Sequence, residues 1–313
     1  MNPLSAFLKL IRYPNLIYIF LTQYLLQYAV IRPVYLRSDM QATLGHGAFF
    51  LLSLATVLIA AAGYIINDYF DVNIDQINKP DKIIIDKYIS RRWAMLWHTL
   101  LNVAGVGLGF AIAWSIGRPL LGFTQLMCTG LLWFYSTAYK RQLLIGNVVI
   151  SLLTALTVMV VGFYEPQLYS GVTPQSAVPA YLLLRVILAY AVFAFLLSLV
   201  REMVKDLEDI KGDDKEGCRT FPIVYGVNAS KDFAAALLWL LIAAIVYAQF
   251  RVVQWGWYAA AAYLLVLVQL PAAAVIYRLR RASGPAGFHR VSNLIKLVML
   301  TGILSMLFFK IHF

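Results

Sequence analysis

Twelve of the chain's 15 acidic residues fall in two short segments. One holds Asp68, Asp71, Asp75, Asp81 and Asp86; the other holds Glu202, Asp206, Glu208, Asp209, Asp213, Asp214 and Glu216. Within the first, Asn67, Asp71 and Asp75 recur at every fourth position. On a helix that spacing stacks one amide and two carboxylates in a column, with Asp68 turned about 100° away. In the second, Asp209 and Asp213 repeat the spacing, with Asp206 one turn earlier. Like charges four apart destabilise a bare helix, and two such columns facing one another repel strongly at reduced dielectric. A hard divalent cation removes that repulsion. Mg²⁺ accepts carboxylate oxygens, keeps several waters and is commonly shared with a substrate phosphate. The bland alternative, solvated helix ends, explains one such segment more easily than two in a chain otherwise poor in acids.

Cations recur near the same segments: Arg12 with Asn15, Lys140 and Arg141 after Tyr135, and Arg201 with Lys205 just ahead of the second column. Arg offers a planar fork and Lys a point charge, both suited to a diphosphate. Snorkelling at a membrane interface is the competing account of such residues. His46, His98, His289 and His312 show no paired ligand spacing, and Cys128 and Cys218 are too few for a disulfide framework, so no zinc, haem or disulfide scaffold is expected.

The elements that must carry these groups are apolar. Hydrophobic residues make up 61% of the 313 positions and charged ones 13%, with a mean hydropathy of +0.74. This excludes an ordinary soluble domain, which is about 45–50% apolar and about 25% charged. A crossing helix needs roughly 20 apolar residues. Nine stretches qualify: 14–31, 47–66, 93–113, 119–138, 146–163, 178–200, 233–250, 256–277 and 293–309. The expected fold is all-α, one polytopic domain over 1–313, with nine transmembrane helices around a central cavity and a cytoplasmic-side cap of loops. Gln23 and Gln27, four apart in the first stretch, should face protein or water rather than lipid. No cleavage site follows that stretch, so a removed signal peptide is not expected.

Orientation follows from Lys and Arg. With the N-terminus cytoplasmic, 20 of the 26 basic residues lie on the inner side and five on the outer. That predicts an integral protein of the cell membrane, N-terminus inside and C-terminus outside. Both acidic segments then share the inner face. The net charge of +11 is accounted for by this topology and by attraction to anionic lipid. No nucleic-acid or protein partner is indicated.

A metal-bound diphosphate beside an apolar chamber points to a polyprenyl diphosphate, ionised at its C–O bond and attacked at C1 by an acceptor. Aromatic faces could steady the allylic cation; Tyr24, Tyr28, Phe49, Phe50, Tyr64, Phe134 and Tyr181 are available. A membrane transporter of an anionic solute is the alternative from another class. Its path would be marked by charges within spans, and here Arg185 alone lies deep.

The chain resembles the UbiA superfamily of intramembrane prenyltransferases. The matching motifs are Asn67-Asp68-x-x-Asp71-x-x-x-Asp75 after the second span and Asp209-x-x-x-Asp213 after the sixth, and the likeness runs along essentially the whole chain. It implies that Asn67, Asp71, Asp75, Asp209 and Asp213 bind diphosphate through Mg²⁺, and that the run Tyr135 to Lys140 contacts it. Three stretches, 66–71 with 77–81, 144–147 and 201–209, are similar to the branch that prenylates geranylgeranylglycerol phosphate for ether lipids. The hydroxybenzoate-using branch typically carries Arg where this chain has Ala60. After Asn78-Lys79-Pro80-Asp81, a β-branched run, Ile83-Ile84-Ile85, replaces the family's usual Pro- and Gly-containing turn. That loop is expected to lie over the site. A lipid acceptor is preferred to an aromatic quinone precursor.

Overall fold

Uninterrupted apolar stretches cannot satisfy their backbone in lipid except as helices, and the chain folds accordingly. A computed structural model describes residues 2–38, 40–168 and 180–313. The start of the sixth expected span and the Tyr181 side chain lie outside the described residues. The helices are α1 (Pro3–Leu10), α2 (Tyr13–Leu25), α3 (Arg32–Arg37), α4 (His46–Asn78), α5 (Arg91–Ser115), α6 (Gly122–Thr137), α7 (Ile145–Phe163), α8 (Ala180–Lys215), α9 (Phe221–Gln254), α10 (Tyr258–Tyr263), α11 (Leu270–Arg281), α12 (Gly284–Leu304) and α13 (Leu307–His312). Two π-helical segments, Leu26–Ile31 and Leu264–Gln269, join α2 to α3 and α10 to α11.

Among the described residues, seven helices are long and apolar enough to cross a membrane, and the pair Pro3–Leu10 and Tyr13–Arg37, bent by 55°, gives an eighth. The expected fourth span is α6, with 16 residues, or about 24 Å at the α-helical rise. That falls short of a hydrocarbon core of about 30 Å. The bend precedes Arg12, which takes a left-handed backbone (φ 50°) as the N-cap of α2, with Pro14 in the first turn.

Six helices enclose a cavity of about 270 Å³: α2, α4, α6, α7, α8 and α12. Helix α5 backs α4 and α6, while α9 and α11 back α8 and α12. The seam of α8 with α9, α11 and α12 is built from Leu197, Val200, Val204, Leu238, Val275 and Ile295, all buried. A second core closes the far end of the cavity, where Tyr35, Phe49, Tyr164, Ile187 and Met306 meet. The two glutamines in the first span turn inward. Gln23 Nε2 donates to Thr56 Oγ1 (3.2 Å) and to the Thr157 carbonyl (3.0 Å), and Gln27 Nε2 donates to Glu165 (3.1 Å).

The isoleucine loop departs from expectation. Ile85 is buried against Leu10, Ile65, Val72 and Ala94, with Ile84 and Ile89 packed beside it. Residues 83–89 do not line the cavity. The β-branched run anchors the loop to α1, α4 and α5, and an Asp86–Arg91 ion pair (2.8 Å) ties down its exposed side. Ile85→Ala is therefore expected to cost about 2–4 kcal/mol, read as a lower thermal midpoint in detergent. Acceptor KM should stay at the wild-type value, and a selective rise in it would place the loop at the site after all.

Candidate active site

Helices α4 and α8 each end in an acidic column, and the structure brings these ends together. The join is Asn78, the last residue of α4. Its Nδ2 donates to the Asp209 carbonyl (2.9 Å) and its Oδ1 accepts from the Gly212 backbone N–H (2.9 Å). A Cβ at Gly212 would collide with the Asn78 side-chain amide, so a glycine there lets the two helices approach. Lys79 adds a second link, reaching Asp209 at 2.7 Å and Glu208 at 3.5 Å. Burial pulls the Lys79 ammonium down, but the charge of and hydrogen bond to Asp209, with Glu208 and Asp75, outweigh it and hold it above its ordinary value.

The columns face each other. Asp213 lies within the field of Asp209 on its own helix and of Asp71 across the gap, and Asp75 within that of Asp71 and Asp68. Asn67 Nδ2 donates to Asp71 (2.8 Å). Lys140, on the short turn Tyr139–Arg141 after α6, pairs with the same carboxylate. The buried carbonyl oxygen of Asn67 has no hydrogen-bond partner. Asp206 is turned to the other side of α8, where Asn147 of α7 donates to it (2.8 Å). Asp68 pairs with Arg12 at 2.6 Å.

The cations divide into two groups. Lys140 and Lys79 hold carboxylates of the acidic columns. Arg12, Arg201 and Lys205 line the cavity itself, together with Asn15, Tyr135 and Asn67. Arg12 lies over the Tyr64 ring (5.2 Å), and Asn15 is hydrogen-bonded to the Tyr64 hydroxyl. Glu202, buried beside them, takes Arg201 at 3.2 Å and Lys205 at 2.7 Å. Arg141 is exposed and lies outside the cavity wall. Of the aromatics named from the sequence, Tyr64 lines the chamber. Tyr24, Tyr28 and Phe49 stack with one another near its far end, and Phe50 and Phe134 face outward. The wall takes Tyr18, Tyr135, Tyr190 and Phe193 instead.

The donors present fit Mg²⁺. They are all oxygen, one is an unpartnered buried amide oxygen, and four carboxylates (Asp71, Asp75, Asp209, Asp213) meet two ammonium groups, leaving about two negative charges to balance. Among the described residues, no three acidic, His or Cys side chains close around a single point as a protein-only cage would. Mg²⁺ does not require such a cage, because one or two carboxylates plus substrate phosphates commonly hold it.

Sequence reasoning missed Asn78, Lys79, Glu202 and Asn147 as parts of this arrangement. The signal was present for the first two, which directly follow the first acidic column. With the geometry established, the comparisons are informative. Residues 35–295 match the UbiA prenyltransferase family. The chain belongs to that family. It is an intramembrane prenyltransferase, which displaces the transporter alternative.

Two curated relatives are digeranylgeranylglyceryl phosphate synthases. That of Methanosphaera stadtmanae is 32% identical over 201 residues, 63% of this chain and 66% of the relative. That of Methanothermobacter thermautotrophicus is 32% identical over 257 residues, 80% of this chain and 82% of the relative. A UbiA homologue from Archaeoglobus fulgidus, solved with DMAPP and Mg²⁺, shares the fold at 17% identity and a TM-score of 0.58, covering 96% of this chain and 98% of its own.

Proposed function

We propose that the prenyltransferase moves a polyprenyl group, geranylgeranyl by analogy with its relatives, from its diphosphate to geranylgeranylglycerol phosphate in ether-lipid synthesis, with Mg²⁺ as cofactor. The observation that carries this reading is the meeting of two acidic columns, one held by Lys140 and the other by Lys79, beside a largely apolar chamber whose wall includes Asn67 but not the four aspartates themselves. Asn67, Asp71, Asp75, Asp209 and Asp213 are the proposed ligands. A bound Mg²⁺ would link these oxygens to the donor's diphosphate and offset charge growing on the leaving oxygen.

The chain's own groups do the rest. Lys140 and Lys79 lie where they can exchange a carboxylate for a diphosphate oxygen, and Arg12 can do so from α2. Asp68 orients Arg12 through their 2.6 Å contact, and Asp206, fixed by Asn147, buttresses α8 against α7. The apolar wall excludes the water that would quench an allylic cation. Tyr64 and Tyr135, at the polar end of the chamber, can present ring faces to it.

Ala60 favours a lipid acceptor over a benzoate. It lines the chamber at the position where the hydroxybenzoate branch places Arg, so no cation stands there for a benzoate carboxylate. The topology proposed with this function is one membrane domain with nine crossings, α6 being a short one. The N-terminus and acidic columns are cytoplasmic under a cap of connecting loops, and the C-terminus is outside the cell membrane.

The deciding experiment gives purified protein radiolabelled geranylgeranyl diphosphate and, in parallel, a prenylglycerol phosphate and several hydroxylated aromatics. Mg²⁺-dependent label transfer to the glycerol phosphate is expected. Transfer to an aromatic acceptor alone would defeat the acceptor assignment, and diphosphate release indifferent to chelation would defeat the metal assignment.

A further inference from the structure

A prenyl chain held by its diphosphate must run away from the acidic columns into the chamber, so the chamber's depth decides how many isoprene units fit. Helix α8 gives the scale. Phe193 lines the chamber and precedes Arg201 by 8 residues and Asp209 by 16 on that helix. At the α-helical rise these separations are about 12 and about 24 Å. Tyr190, one turn deeper, also lines the chamber, and Met306 belongs both to the wall and to the core that closes its far end.

The Phe193 ring lies against α12 at Gly302, a buried position. A Cβ there would collide with the ring tip, at Cζ and Cε1, so the ring takes the space that any other residue's side chain would fill. The seat is fixed from behind. Ser305 Oγ donates to the Gly302 carbonyl (2.6 Å) and is bonded to the Tyr190 hydroxyl (2.8 Å). The Tyr263 hydroxyl donates to the adjacent Thr301 carbonyl (2.8 Å). On the same helix, Ile295 and Val298 are buried in the seam with α8 and α11. A packed seam resists displacement, whereas the tip of an aromatic side chain bordering open space can turn.

We infer that Phe193, seated on Gly302, is the gauge that sets which length of prenyl chain the donor carries. With glycine at 302 the ring is drawn onto α12 and the chamber stays open toward Tyr190 and Met306. A larger residue at 302 turns the ring into the chamber and shortens it. Phe193 meets the chain; Gly302 is a positioning residue that acts through the ring. The gauge rests on the prenyl diphosphate reading of the donor and is independent of the acceptor.

The test uses full-length protein in detergent, the acceptor that the wild type prenylates, and geranyl, farnesyl, geranylgeranyl and the next longer polyprenyl diphosphate. The reading is the ratio of kcat/KM between successive donors. Gly302→Ala should lower geranylgeranyl relative to farnesyl by about tenfold or more, the scale on which an apolar pocket rejects a chain that is too long for it. Phe193→Ala should shift the ratio the other way, toward the longest donor. In the double variant no ring remains to be displaced, so Gly302→Ala should have no further effect on the ratio, the signature of two residues in direct contact. A merely structural role would depress all four donors alike. Phe193→Ala carries the test alone if Gly302→Ala fails to fold. Ratios that are flat in the wild type or unchanged in both single variants overturn the gauge and leave prenyl transfer intact. So does a Gly302→Ala shift that survives without the ring, or a change confined to the acceptor KM. Wild-type protein that uses no prenyl diphosphate of any length would instead remove the donor reading, and the gauge with it.

Discussion

Asp71→Ala is expected to lower prenyl transfer by about 10³-fold or more, the scale of removing a group that stabilises transition-state charge, while the protein stays folded. Asp71 is the point where three elements converge. It accepts from Asn67 one turn earlier on α4, pairs with Lys140 beyond α6, and faces Asp213 of α8. Two energetic consequences of its removal oppose each other. Lys140, about 9% exposed, loses its carboxylate, which costs stability. The acidic cluster loses one of its mutually repelling charges, which returns some. The thermal midpoint should therefore move by only a few degrees, whereas turnover collapses. Asp209→Ala removes the matching proposed ligand from α8, and Lys79 then loses its nearest acid. The measurement is labelled product formed at saturating Mg²⁺ and donor, paired with helical content and thermal midpoint. Full activity in both variants would sink the proposed metal site, and loss of activity together with unfolding would reassign Asp71 to stability.

Much of this site was legible because helical spacing is a strong constraint. Asn67, Asp71 and Asp75 must share a face once residues 67–75 continue the second span, and α4 does run unbroken to Asn78. The glutamines of the first span were legible for a similar reason, since an amide in lipid needs a partner. Contacts between elements were not legible. Nothing in the periodicity of residues 78–79 says that Asn78 would bond Asp209 and Gly212 across 131 and 134 positions. The isoleucine run was expected over the site because it replaces the family's usual turn after the first acidic motif. Its apolar side chains instead found α1 and α5, where burial is favourable. Which aromatics line the chamber was not legible for a plain reason: composition says that rings are present, and packing decides which of them, Tyr64 among those named, face the chamber. The fourth span was misjudged in length because Pro119–Leu121 forms a separate 3₁₀ turn, which leaves α6 to begin at Gly122.

Lys140 provides the second large effect, and Gly146 reports on how it is held. Lys140 occupies the short turn Tyr139–Arg141, which packs directly on the start of α7. A Cβ at Gly146 would meet the Lys140 Cα at 2.7 Å and the Tyr139 carbonyl oxygen at 2.8 Å. Both are backbone atoms, so no side-chain rotation relieves the contact. Lys140→Ala removes a donor aimed at the acidic columns. It should raise the KM for prenyl diphosphate and lower turnover by about 10²-fold, the effect of deleting one charge-assisted hydrogen bond in a water-poor site. Acceptor KM should stay within about twofold, since a group that meets only the donor leaves acceptor binding intact. Gly146→Ala keeps the lysine and moves its backbone. It should shift the same two parameters in the same direction by a smaller factor, because a displacement near 1 Å is enough to spoil alignment. A defect confined to the acceptor in Lys140→Ala would contradict the donor role. A silent Gly146→Ala alongside a damaged Lys140→Ala would show that the ammonium finds the diphosphate without the turn being fixed, so that reach rather than placement is what this lysine contributes.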